Sequence, residues 1–109
     1  MMEVDGRFYF GCWRELPYDF DTGESFEEYT KLKNTISREG VIRHLEGLPV
    51  AAMANVGDRV DIFTGEPIEF GRCEDGEFVF PSEFLHYYKN YDIGIPYEYE
   101  AYLKSIGVK

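Results

Sequence analysis

The sequence predicts a single α+β domain spanning residues 1–109, an antiparallel sheet of about four or five strands packed with three or four helices. Three observations carry this. Asp75-Gly76 separates two apolar-rich runs as the loop of a tight hairpin would. Ser25-Phe26-Glu27-Glu28 has the spacing of a capping box at the head of an amphipathic stretch. Apolar residues recur at helical spacing through Tyr99, Tyr102, Leu103 and Ile106.

The strands follow from alternation and punctuation. Gly6 to Trp13 is rich in aromatic strand formers bounded by glycines and a charged segment and reads as the first strand, with Phe8, Phe10 and Cys12 on one face and Tyr9 and Trp13 on the other. Val50 to Val56 is a short apolar run that leans to strand and closes at Gly57-Asp58. Val60 and Ile62 alternate with Asp61, and Thr64-Gly65-Glu66-Pro67 is a turn signal, so residues 59–80 read as a three-stranded meander. With Asp75-Gly76 as a two-residue loop, Glu74 faces Glu77, Cys73 faces Phe78, Arg72 faces Val79 and Gly71 faces Phe80. Phe78, Phe80, Gly71 and Cys73 then share one side of the sheet.

The helices follow from caps and period. From Ser25 the stripe Phe26, Tyr29, Leu32 and Ile36 runs on to a stop at Gly40, with acids at the positive end of the dipole and Lys31, Lys33 and Arg38 toward the negative end. Val41 to Leu48 fits a short helix entered from Ser37 or a strand through Val41-Ile42-Arg43, and periodicity over so few residues does not choose between them. Pro81 or Ser82 begins a helix with apolar face Phe84, Leu85, Tyr88 and Tyr91. Pro96 opens the last helix and Gly107 ends it.

At 109 residues the chain is long enough to bury roughly 60–65% of its unfolded surface without staples. Twenty-one acids against eleven bases give a net charge of −10. The imbalance is uneven: residues 1–30 hold eight acids and two bases, residues 31–60 three and five, residues 61–109 ten and four. Such a balance argues against sequence-independent nucleic-acid binding, which needs clustered Lys and Arg, and it disfavours an anionic membrane surface. There is no apolar run near the ~20 residues a membrane span requires. The acidic amino-terminal segment lacks the basic and apolar regions of a signal peptide, so a cytoplasmic location is expected.

Candidate chemistry is thin. Cys12, His44, Cys73 and His86 are metal-ligand types, but no pair has zinc-site spacing, and the acids around Cys73 oppose a reactive thiolate. Both cysteines read as structural thiols. No glycine-rich nucleotide motif is present. No catalytic residue, metal or cofactor is assigned, and the reading leans away from an enzyme.

The most telling pattern is the interleaving of acids with tyrosines. It occurs at Tyr18, Asp19 and Asp21, and again from Tyr87 to Tyr102, which holds six of the nine tyrosines. Tyr88, Tyr91, Tyr99 and Tyr102 fall on apolar helix faces; Tyr87, Asp92, Tyr97, Glu98 and Glu100 are expected near the surface. Tyrosine offers a large contact area at small entropic cost, and arginine stacks on its ring while pairing with a carboxylate. The partner such a surface suits is a basic protein, including one that binds nucleic acid. In size and charge, though in no motif, the chain is similar to small inhibitors of phages and mobile elements, anti-CRISPR and anti-restriction proteins among them. That likeness implies a non-enzymatic inhibitor whose carboxylates imitate nucleic-acid phosphate. A small ligand-binding domain or enzyme, with a pocket between sheet and C-terminal helices, is the alternative. An accessory domain without separable activity is a third.

Overall fold

The computed structural model describes residues 1–16, 22–51, 59–69 and 71–109. Among the described residues, four helices pack against a four-stranded mixed sheet and a separate two-stranded ribbon. The α+β class stands. The sheet, however, is mixed rather than antiparallel.

Two hairpins build it. Met2–Val4 (β1) and Arg7–Tyr9 (β2) pair antiparallel around Asp5-Gly6, whose φ values of 51° and 79° are those of a type I′ turn. Arg72–Asp75 (β5) and Phe78–Pro81 (β6) form the second hairpin. The hairpins join through β2 and β6, which run parallel with Phe8 beside Phe78 and Tyr9 beside Val79. The order is therefore β1-β2-β6-β5. Each hairpin's local pattern dictates antiparallel pairing within itself, whereas the direction in which the two meet is set by burial. The parallel arrangement stacks Phe10 on Phe80, ring centroids 4.9 Å apart, and sets Phe8 against Phe78 at 5.6 Å.

The second hairpin turns one residue later than expected. Asp75 pairs with Phe78, Glu74 with Val79 and Cys73 with Phe80, so the loop is Gly76-Glu77. Gly76 has φ +60° and Glu77 does not enter the positive-φ region, as in a turn with glycine at its first central position. A side chain there would also strike the Tyr102 ring, 2.8 Å from an added Cβ. The pairing slips by two places, an even number, so Phe78, Phe80 and Cys73 keep a common face. Asp75 joins them and is drawn inward, 7% exposed.

The predicted meander does not form. Arg59–Val60 (β3) and Pro67–Ile68 (β4) make a ribbon of their own, and β4 does not pair with β5. Pro67 has no N–H to offer a ladder, and the turn after β3 is instead pulled onto a helix by Asp61. Of the expected strand at 50–56, Ala51 bridges Arg72 through two 2.9 Å backbone bonds; residues 52–56, like the Gly57-Asp58 turn and Phe70, lie outside the described residues.

The predicted helix from Ser25 to Gly40 is two helices. Ser25 caps Phe26–Thr30 (α1) by accepting the Glu28 N–H at 3.2 Å, the cap that the spacing predicts. Past Thr30 the chain leaves the helix, because its N–H donors find partners outside it. Lys33 N–H donates to the Tyr97 phenol oxygen, and Thr35 and Ile36 N–H donate to Glu100. The Asn34 side chain pairs with the backbone of Ile95 in both directions. Ser37 then caps Arg38–Glu46 (α2), which resolves residues 41–46 as helix.

Glu83–Asn90 (α3) and Tyr97–Ser105 (α4) occupy the expected stretches. Arg38 closes the C-terminal end of α3, donating to the carbonyls of Tyr88, Tyr91 and Ile93 while its guanidinium lies 4.2 Å over the Tyr88 ring. The core is aromatic: Phe10, Trp13, Phe80, Phe84 and Tyr99 are all 3% exposed or less. On the far face of the sheet, Arg7 and Arg72 both reach Glu74.

Candidate interaction surface

The eight residues singled out for partner contact divide into four groups. Tyr18, Asp19 and Asp21 lie outside the described residues. Tyr87 and Glu100 are interior, correcting their expected surface positions: Tyr87 is fully buried and Glu100 is 8% exposed. Asp92 is exposed in the connection after α3 but does not line the recess described next. Tyr97 and Glu98 are exposed and adjoin one another at the start of α4, at the mouth of a recess of about 150 Å³.

Tyr87 is buried because α3 turns it toward the Trp13 indole, 5.1 Å away edge to face, and because its hydroxyl accepts the Ile62 N–H at 3.1 Å. Glu100 is buried because it serves the 34–36 backbone. Burial alone would raise its carboxyl; bonds from the Ile36 N–H, the Asn34 side chain and the Thr35 N–H, with Lys104 nearby, outweigh that and hold it below the usual carboxylate range.

The recess lies between the start of α1 and the start of α4. Glu28 and Glu98 flank it, with Tyr97 beside them and Glu24, Tyr29 and Leu32 also lining it. Tyr97 is 50% exposed, yet the bond its hydroxyl accepts from Lys33, at 3.1 Å, holds the ring in place. Glu24 is a buried acceptor: it takes the Thr22 hydroxyl at 2.5 Å, the Tyr29 hydroxyl at 2.9 Å and the Met1 ammonium at 2.8 Å. Burial, and then the charge and hydrogen bond of Glu24, push the Tyr29 phenol far above its ordinary range. Local spacing accounts for Glu28 through the capping box and for both acids through the helix dipole; nothing in it places α4 beside them.

Two further carboxylates organise the interior, each with one of the two histidines. Asp61 accepts from Tyr91 at 2.7 Å and the N–H groups of Phe63 and Thr64, and lies 2.8 Å from His86 Nε2. Burial would raise its carboxyl; the His86 and Tyr91 bonds and the two N–H groups prevail and lower it. Asp75 accepts from Tyr99 at 2.7 Å and lies 2.8 Å from His44 Nε2. These nodes tie β-structure to helices: Asp61 ties the ribbon to α3, and Asp75 ties the β5-β6 hairpin to α2 and α4. Cys12 and Cys73 are not joined by a disulfide, and burial followed by the Asp75 charge raises the Cys73 thiol. Among the described residues, no three His, Cys, Asp or Glu side chains converge as metal ligands, and no helix is long and apolar enough to cross a membrane. No protein family, curated protein or solved structure matches the chain.

Proposed function

We propose that the protein is a non-catalytic binder that offers the acidic recess between α1 and α4 to a cationic side chain of a basic partner. One observation carries the reading: a half-exposed tyrosine, Tyr97, is anchored through its hydroxyl beside two exposed carboxylates, Glu28 and Glu98. An aromatic ring already held in place adds contact area without a further ordering cost. The recess volume of about 150 Å³ lies well below the 300–1,000 Å³ typical of small-molecule sites, which favours a guanidinium or ammonium head over a metabolite. The net charge of −10 would speed encounter with a positively charged surface. A partner that ordinarily holds nucleic-acid phosphate has such a surface, so the protein would act as an inhibitor occupying it.

The test is capture from a lysate with low-salt and then high-salt washes, followed by titration of the purified partner. A basic nucleic-acid-binding protein released by salt is expected, with Glu98→Lys weakening the titrated affinity about tenfold and reducing its salt dependence. Equal affinity of wild type and Glu98→Lys would overturn the proposal.

A further inference from the structure

A second surface lies at the tip of the β3-β4 ribbon. Phe63 is 54% exposed, an uncommon position for a phenylalanine that is nevertheless packed on other rings. Its ring centroid is 4.9 Å from that of Phe26 and 5.1 Å from that of Tyr91; Phe26 and Tyr91 stand 5.8 Å apart, edge to face. The three rings are mutually locked. Tyr91 is held further by its hydroxyl bond to Asp61, and the turn carrying Phe63 is pinned by the two N–H groups that Asp61 accepts.

Negative charge lies beside the cluster. Exposed Glu66 on the same ribbon is close enough to act on the Tyr91 phenol, and the Asp61 carboxylate accepts the Tyr91 hydroxyl at 2.7 Å. A held aromatic face with carboxylates close to one of its rings suits one cation better than any other. Guanidinium is planar, weakly hydrated and able to stack on a ring while pairing with a carboxylate, whereas ammonium is a compact, strongly hydrated point charge. The fold already uses this chemistry, with Arg38 over Tyr88 and Arg72 over Tyr9.

We infer that the Phe63–Phe26–Tyr91 face is a docking site for an arginine-bearing segment of a basic protein, selecting arginine over lysine by stacking. The inference rests on different residues from the recess and stands without it. The test uses nona-arginine and nona-lysine peptides, of equal charge, titrated calorimetrically into the full chain. Wild type is expected to bind nona-arginine about tenfold more tightly than nona-lysine, and Phe63→Ala to lose most of that preference while still binding both. Phe63 is half exposed, so this variant should keep the thermal midpoint; Phe63→Trp, which retains the aromatic face, is expected to keep the preference and controls for any loss of fold. Glu98→Lys is expected to weaken both peptides alike and leave their ratio unchanged, so failure at the recess and failure here read differently. Equal affinity for the two peptides, or a preference that survives Phe63→Ala, would overturn the inference. So would a wild-type dimer that Phe63→Ala converts to monomer, because the face would then belong to a second copy of this chain.

Discussion

The Glu100 carboxylate on α4 accepts the Thr35 N–H at 2.7 Å and the Ile36 N–H at 3.0 Å, although it lies 65 and 64 residues away in sequence. This pairing satisfies the backbone where the predicted long helix would have run, and it separates α1 from α2. Glu98, two positions earlier and so on the opposite side of the helix, faces solvent. Two acids of the same short tract therefore do opposite work.

Replacing Glu100 should accordingly be a stability experiment. Glu100→Ala leaves the buried Ile36 N–H and the part-buried Thr35 N–H without their acceptor and is expected to cost about 3 kcal/mol. Glu98→Ala at an exposed position should stay within about 0.5 kcal/mol of wild type. Urea denaturation of both variants measures the contrast, and equal midpoints would show that Glu100 does not hold the 34–36 segment.

Acid should loosen the fold through Asp61 and Glu100. A carboxyl whose folded pKa is depressed binds fewer protons folded than unfolded, so its stabilisation is present above the unfolded value and disappears as pH falls through the folded one. Ordinary values of 3.8 and 4.5 place the onset below about pH 5. Thermal midpoints between pH 7 and pH 3 should fall in wild type. They should fall less steeply in Asp61→Asn, which starts from a lower midpoint at pH 7. Parallel curves would remove Asp61 from the account.

Alkali should act through the tyrosines. Burial pushes Tyr87 up to about 12, and burial together with the Asp61 hydrogen bond pushes Tyr91 up to about 12, from 10.0. A phenol with a raised folded pKa stays protonated in the fold while the unfolded chain ionises, so its stabilisation is full below pH 10 and is lost as pH rises toward 12. Phenolate absorbance followed alongside near-ultraviolet circular dichroism should show a late fraction of tyrosines ionising together with loss of tertiary signal. Tyr91→Phe should shrink that fraction. Ionisation of every tyrosine with the dichroism intact would contradict the burial described.

Much of the architecture was legible because its causes are local. The Ser25 cap, the Pro96 entry to α4, the Gly107 exit and the shared face of Cys73, Phe78 and Phe80 each follow from residue type and spacing within a few positions. The Asp5-Gly6 turn has an equally local cause, since both residues tolerate positive φ. Asn34-Thr35, weak helix formers in mid-stripe, were likewise a sign that the helix from Ser25 would not continue.

What residue order determined by itself was composition, charge, caps and the alternation of faces, all set by steric and hydrogen-bonding preferences over one or two turns of chain. Only the tertiary structure decided that β2 runs parallel to β6, that Tyr87 and Glu100 turn inward while Tyr97 and Glu98 turn out, and that Glu28 meets Tyr97 across a recess. The reason is physical: a buried carboxylate is stable only where donors converge on it, and here those donors come from segments far away in the chain.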